Sequence, residues 1–426
     1  MPKLSTYRTT FPIPATMQAV VLSGLGFDNV AVRQVPVPQP GPSQLLARVD
    51  AAGVCTSILK IMDQGPAHTY FRGWDPAQWP VILGDEGSIT VVKVGAALAG
   101  QYRVGQRLAI QPGVELGPIN HRERYRDHGR GMARTAVGYT LGGQLAQYIL
   151  VPEEVIQGGS LLPLPDENLP YFAVSMSEPV SCVVSAQDRQ IHIHKASPGA
   201  PRVPRLGMLP GGTTVIIGVG PMGLMHAELA LRFRPRNLIV CDKIVARLDR
   251  ARNVLQAKAR DAGVNLLAAE SDQLKATLTQ VTDGRMADDI VLAVGINPVQ
   301  QAALDLLGRE GVANLFGGLP KGQNMLQVDA VKVHYDEIKL VGSSGGAPSD
   351  LALALRAFAD GDIDPGNYVF GVGALAHAIE VLRGIKANRI EGKVILYPHC
   401  TVDKLTLGLE HWSAQEEERF MEEHLA

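Results

Sequence analysis

Three glycines at fixed spacing, in Gly218-Val219-Gly220-Pro221-Met222-Gly223, follow an apolar run and precede a helix-forming one, and an acid, Asp242, stands nineteen residues after the last of them. Thr213 to Ile217 predicts a strand, Leu224 to Phe233 a helix and Leu238 to Cys241 a second strand. In that order the glycines differ in what they permit. Gly218 allows a tight turn, Gly220 lets the backbone approach a pyrophosphate, and Gly223 lets the helix pack against the strand. Free N–H groups at the helix start, where Pro221 and Met222 stand, suit the pyrophosphate charge. Asp242 is spaced for the hydroxyls of an adenosine ribose, and its charge repels a 2′-phosphate, which favours NAD over NADP. Lys243 and Arg247 at the adenosine end leave NADP as the alternative. Val294, at the end of a later strand, completes the expected cofactor-binding set. A glycine turn alone is weak evidence in a chain with 45 glycines; the flanking strand, helix and acid carry the reading.

The elements around this unit alternate. Asp289 to Val294 predicts a strand, Val299 to Leu307 a helix, and Val312 to Phe316 and Ile338 to Gly342 two more strands, an order that implies a doubly wound parallel sheet. Residues 17 to 110 read differently: Val, Ile and Gly with frequent turn signals, such as Val35-Pro36-Val37-Pro38-Gln39-Pro40-Gly41, predict short antiparallel strands. Strand character without long helices returns at Gly392-Lys393-Val394-Ile395-Leu396, so the tail is expected to rejoin the β-rich part. The chain thus reads as an α/β protein with a catalytic domain over 1–187, a cofactor domain over 188–345 and a return over 346–426. Arg189 to Gly211, with Pro198, Pro201, Pro204 and Pro210, predicts an exposed linker without regular structure. Within it His192 and His194 alternate with Ile191 and Ile193, a pattern read as a solvated strand face rather than a metal pair. Ser413-Ala414-Gln415-Glu416 has the form of a capping box, and Phe420, Met421 and Leu425 give the helix after it an apolar edge for docking on its own subunit or a neighbour.

At 426 residues the chain can hold two domains with separate cores. A formal net charge of −2 supplies no field for nucleic acid or an acidic membrane. The opening Met1 to Thr10 is polar and no apolar stretch is long enough to span a bilayer, so a soluble cytoplasmic protein is expected. The four cysteines, Cys55, Cys182, Cys241 and Cys400, are too scattered for a disulfide framework. Cys241 ends a buried strand, and Cys182 and Cys400 read as inert.

Further segments carry a family likeness: Gly53-Val54-Cys55-Thr56-Ser57-Ile58-Leu59-Lys60, Gly84-Asp85-Glu86-Gly87, Val104-Gly105-Gln106-Arg107, Gly143-Gln144-Leu145-Ala146-Gln147-Tyr148, Ser177-Glu178-Pro179 and Gly392-Lys393-Val394. In this order, from about Met17 to Tyr397, the chain resembles the zinc-dependent medium-chain dehydrogenase/reductase family, and most of all its sorbitol and polyol dehydrogenase branch. The resemblance implies a GroES-like catalytic domain and a Rossmann cofactor domain. It also implies a catalytic Zn2+ held by Cys55, by the two positions of the Gly-His-Glu turn, and by Glu178 in or beside the shell. Ser57 matches the hydroxyl that relays the alcohol proton, and Lys60 stands where relatives often have a His. Relatives are commonly dimers or tetramers through the cofactor-domain sheet edge, which implies a homo-oligomer.

Two departures bear on that expectation. The family's His is Asp85 here. Asp can ligate zinc, but Cys, Asp and Glu together give a more anionic shell and a weaker Lewis acid unless Lys60 points inward to offset it. The alternative is a metal-free site with Asp85 or Glu86 as a general base and Cys55 as a small buried residue. Residues 111–136 lack the four cysteines of a structural zinc site. In their place the Arg-dense Asn120 to Arg130 reads as a solvated or subunit-contact loop rather than a phosphate or carboxylate pocket, because Glu123 and Asp127 are interleaved. Gly65 to Pro80, with His68, Tyr70, Phe71, Trp74 and Trp79, is a candidate substrate wall for sugar C–H faces, with plain loop packing as the other reading.

The expected activity is NAD-dependent interconversion of a secondary alcohol and a ketone on a polyol, sugar or cyclitol. The alternatives are a metal-free reductase of activated double bonds or quinones, an enzyme that oxidises a sugar only transiently with tightly bound NAD, and a non-catalytic binding protein.

Overall fold

Strand-forming sequence of two kinds separates in space as well: the computed structural model, which describes residues 3–319 and 322–426, contains one compact unit of residues 1–179 with 347–426 and another of 180–346. The unit of residues 180–346 is built on six parallel strands in the order Asn265–Glu270, Asn237–Asp242, Thr213–Ile217, Ala287–Leu292, Leu307–Asn314, Lys339–Val341. Chain order reverses beside Thr213–Ile217, the doubly wound arrangement whose carboxyl-end crevice takes ligands. Every residue of Thr213–Ile217 and Asn237–Asp242 is buried, as in strands covered on both faces. The helix after the glycine turn spans Pro221–Ala230, starting three residues before the expected Leu224 because proline is preset for the first helical position. Val245–Asp261, Asn265–Glu270 and Leu274–Thr282, two helices and the sheet's first strand, come in addition to the elements expected from sequence.

One expectation is corrected in this unit. The segment after Arg189 is not irregular: Ile191–His194 pairs antiparallel with Val203–Leu206, and Pro204 is tolerated because a two-stranded ribbon has outer edges that need no donor. Nor do its histidines share a solvated face. His192 is buried against Asp289, with Nε2 2.9 Å from Oδ1, while Gln190 Nε2 donates to the same oxygen at 2.9 Å; His194 is exposed.

The other unit holds an eight-stranded, mainly antiparallel sheet. Leu45–Gly53 lies between Glu86–Val94 and Lys393–Tyr397, with Arg107–Ile110 beyond the former and Val369–Ala374 beyond the latter. Val49, Ile89, Leu108 and Leu396 belong to its core. The register puts Gly53 opposite both Glu86 and Ile395, so residues distant in sequence end side by side. A three-stranded sheet, in which Thr16–Leu22 pairs with Val30–Pro36 and Val81–Ile82, delivers the chain to Asp85.

The last helix, Ala414–His424, begins with the expected capping box: Ser413 Oγ accepts from Glu416 N at 3.2 Å and Glu416 Oε2 accepts from Ser413 N at 2.7 Å. It docks on its own chain. Buried Glu417 accepts N–H bonds from Tyr171 and Phe172, both at 2.7 Å, and so caps the helix Tyr171–Asp188 that carries Glu178. Glu422 accepts from Lys3 N and Leu4 N, each at 2.8 Å, at the head of Lys3–Thr9. Met1 and Pro2 of the polar opening lie outside the described residues. No helix among the described residues is long and apolar enough to cross a membrane.

Burial pushes the Glu417 carboxyl up to about 7, against the backbone N–H groups that favour its charge. An acid raised by folding stabilises the fold in its protonated form: that share is complete below its ordinary value and is lost as pH rises through about 7. Thermal unfolding of the wild type should show this slope between about pH 5 and 8, and Glu417→Gln should flatten it while costing about 1–3 kcal/mol for a backbone donor left without its acceptor.

Candidate metal centre and dinucleotide turn

The strand Leu45–Gly53 ends at a glycine for a steric reason. A Cβ on Gly53 would lie 2.1 Å from Glu86 Oε2, so only glycine leaves room for that carboxylate. Two residues on, Cys55 enters the helix Ser57–Gln64, and Asp85 precedes Glu86 on the paired strand. The Cys55 sulfur and one carboxylate oxygen each from Asp85 and Glu86 all lie within 4.8 Å of one another. Asp85 and Glu86 are buried, and Asp85 Oδ1 and Glu86 Oε2 have no hydrogen-bond partner among the described residues.

Such a cluster needs positive charge. Lys393, on the neighbouring strand, forms a buried ion pair with Glu86 Oε1. Burial alone would lower the lysine's pKa, yet Glu86 and the Cys55 thiolate hold it above the usual range. Burial and then Glu86 push Asp85 up to about 6, and burial with Asp85 and Glu86 raises the Cys55 thiol. Uncompensated charge, two orphan oxygens and a thiol whose deprotonation requires a cation together fit a divalent metal ion, with sulfur and oxygen donors suited to zinc. Asp85 divides its two oxygens: Oδ2 accepts from Ser57 Oγ at 2.8 Å, and Oδ1 is left for an ion. Ser57 N also donates to Cys55 Sγ at 3.4 Å, and Gln144 Nε2 donates to the Asp85 carbonyl at 3.3 Å.

The structure separates the remaining expected residues. Glu178 is buried and its charge is felt by Cys55, Tyr139 and Lys393, but it stands outside the set of mutually close ligand atoms. Lys60 does not point inward. It is exposed on its helix and acts on His68, so the offsetting cation is Lys393 instead. Lys393 carried a readable signal, a lone lysine inside the apolar run Gly392 to Leu396. Tyr139, isolated between Gly138 and Thr140, carried none, yet it stands near Ser57, and burial with Asp85 and Cys55 raises its phenol. Its ring lies 5.3 Å from His68 and 5.2 Å from Tyr70. The tryptophans do not share that position. Trp74 is buried, donates to the Trp79 carbonyl at 2.8 Å and packs on Tyr125 at 5.2 Å, so both belong to loop packing.

In the other unit, Gly218 has φ +88°, and a Cβ on it would lie 2.3 Å from Val294 Cγ1. A Cβ on Gly223 would lie 1.7 Å from the Gly218 carbonyl oxygen, which shows how tightly helix and turn are packed, whereas at Gly220 nothing lies within 4 Å. Backbone there is open to a ligand, with Pro221 and Met222 opening the helix. Asp242 Oδ2 accepts from Val219 N at 2.8 Å and Oδ1 from Ile244 N at 3.0 Å, which ties the acid to the turn; Arg247 lies 3.8 Å away and Lys243 is exposed.

Residues 41–166 match the family described as alcohol dehydrogenase GroES-like domain, and 221–360 match zinc-binding dehydrogenase. The mannitol-1-phosphate 5-dehydrogenase of Aliivibrio fischeri is 27% identical over 384 residues, 88% of this chain and 85% of that one. The sorbitol dehydrogenase of Bacillus subtilis is 26% identical over 391 residues, 92% and 99% of the two chains. Among solved structures, a zinc-binding dehydrogenase of Sinorhizobium meliloti 1021 bound to NADP superposes with a TM-score of 0.69 at 22% identity, covering 90% of this chain and 100% of that one. These matches bear out the GroES-like and Rossmann architecture.

Two measurements check the sites. In chelator, Lys393→Met should cost about 3–5 kcal/mol, because Glu86 is left as an unpaired buried charge; added Zn2+ should then raise the melting temperature of this variant more than that of the wild type. Gly220→Ala should melt like the wild type but bind dinucleotide at least about tenfold more weakly by calorimetry, since its methyl projects where phosphate would approach, whereas Gly223→Ala should lose stability as well.

Proposed function

We propose, from the premise that the chain belongs to the medium-chain zinc-binding dehydrogenase family, that it is an NAD-dependent oxidoreductase interconverting a secondary alcohol and a ketone on a polyol, sugar or cyclitol. The observation that carries the reading is the Cys55–Asp85–Glu86 cluster with its two unpartnered carboxylate oxygens. A metal-free reductase of double bonds or quinones has no use for three converging acidic ligands, which favours the alcohol chemistry. The two relatives' names divide between a phosphorylated polyol and a free one. Asp242, anionic and held at the turn, favours NAD over NADP.

Cys55, Asp85 and Glu86 would hold the metal, with Glu178 close by. When bound, the metal would polarise the substrate oxygen and the nicotinamide would exchange hydride with the carbon bearing it. The protein's own residues handle the proton. Ser57 Oγ donates to Asp85 Oδ2, so it can take the alcohol proton while passing its own to that carboxylate. Lys393 pairs with Glu86 beside this traffic and lowers the anionic excess that Asp85 brings in place of an imidazole. Assembly as a homodimer or homotetramer through the sheet edge at Lys339–Val341 accompanies the reading.

Metal analysis tests it. Wild type should carry about one zinc per chain, lose it progressively on dialysis against more acidic buffer because the ligands must be deprotonated to bind, and reduce NAD with members of a polyol panel. Asp85→Ala should lose both metal and turnover. Metal-free wild type of full activity would sink the proposal, and product release without net NADH would move it to transient oxidation by bound NAD.

A further inference from the structure

A cavity of about 340 Å³ opens in the same structural unit as the Cys55–Asp85–Glu86 cluster, lined by Pro66, Ala67, His68, Thr69, Arg72, Arg126 and Asp127. Two loops far apart in sequence form it and are stapled together: Arg126 N donates to the Arg72 carbonyl at 2.9 Å, and Arg72 Nη2 to the Arg130 carbonyl at 2.8 Å. Gly73, at φ +94°, lets them approach, since a Cβ there would meet Arg126 Cβ at 3.1 Å. Arg72 itself adopts φ +42°, a left-handed conformation that a non-glycine residue holds only where its surroundings fix it.

One aromatic residue links this lining to the cluster. The His68 ring lies 5.3 Å from the Tyr139 ring, Tyr139 is within electrostatic reach of Asp85 and Cys55, and Ser57 Oγ is 2.8 Å from Asp85 Oδ2. The Arg-dense loop is not self-neutralised where it borders the cavity. Glu123 is engaged by Arg124 at 3.4 Å and His121 at 3.7 Å, the Arg72 guanidinium meets a carbonyl, and Arg126 is in no ion pair among the described residues. Against two guanidiniums and the nearby charge of Lys60 stands one acid, exposed Asp127. His68 Nδ1 accepts from Tyr70 N at 3.3 Å, which places the ring proton on Nε2 as a further donor.

We infer that this cavity is a phosphate-monoester subsite, in which Arg72 and Arg126 hold the phosphoryl group of a phosphorylated polyol or sugar while its hydroxyl is presented to the Cys55–Asp85–Glu86 cluster. The inference rests on the proposed alcohol chemistry for the second half of that statement; the anion site itself stands on its own geometry. Guanidinium forks match phosphate oxygens in pairs and a neutral hydroxyl cannot replace them, so the site discriminates between an ester and its free polyol.

The test uses the full-length holoenzyme with matched pairs of polyol and polyol phosphate, and inorganic phosphate as a separate probe. Wild type should favour the ester in kcat/KM by about 100-fold or more, and Arg72→Gln and Arg126→Gln should each reduce that ratio at least about tenfold, mainly through KM. Arg130→Gln, whose side chain does not line the cavity, should keep the ratio. Phosphorus NMR titration of wild type with inorganic phosphate should show binding that the Arg72→Gln, Arg126→Gln double variant loses. Equal kcat/KM for ester and polyol, or no phosphate binding to wild type, overturns the subsite while leaving the dehydrogenase reading in place. Phosphate binding that depends on both arginines, with no turnover of any alcohol, upholds the anion site and refutes the reaction instead.

Discussion

Two buried carboxylates and a thiol sit together in this fold, and the cost of that arrangement governs everything near it. An ionised group moved from water into a protein interior loses several kcal/mol of solvation, and the loss is tolerable only where opposite charge and hydrogen bonds replace the water. Lys393 supplies part of the replacement by pairing with Glu86, and Ser57 supplies another part at Asp85. What remains, one free oxygen on each acid and a thiol pushed away from ionisation, is a coordination set awaiting positive charge. Strand register, the missing side chain at Gly53 and the placement of a lysine inside an apolar strand all follow from packing that cluster.

Asp85, where the resembled family has an imidazole, adds a negative charge to the cluster. A histidine uses one nitrogen for metal and the other for a partner; an aspartate can use one oxygen for each, and here Oδ2 is already committed to Ser57. The extra negative charge is met by a buried ammonium from another strand rather than by the exposed Lys60 on the neighbouring helix.

Distant parts of the chain hold this centre in place. Glu417 near the carboxyl end caps the helix bearing Glu178, and Glu422 caps the helix at the amino end, so the last helix closes two others by the same physical device, a carboxylate accepting backbone N–H groups that have no helical partner. Trp412 and Tyr397 hydrogen-bond in series to Glu417, and Tyr397 is the last residue of the strand that brings in Lys393.

The glycine turn, its flanking strands and Asp242 were legible in the sequence because each is a local rule: a turn that needs φ above zero, an apolar run of strand length, an acid at a fixed distance. The capping box at Ser413 was legible for the same reason, and Cys55, Asp85 and Glu86 were legible through their family likeness. Only the tertiary structure decided which lysine balances the metal cluster, which ring faces Ser57, that Trp74 belongs to the core, and that Arg72 and Arg126 share a cavity. Those outcomes depend on strand register and on loops meeting across more than fifty residues of chain. Such contacts are fixed by the packing of whole sheets, and no short window of sequence carries that information.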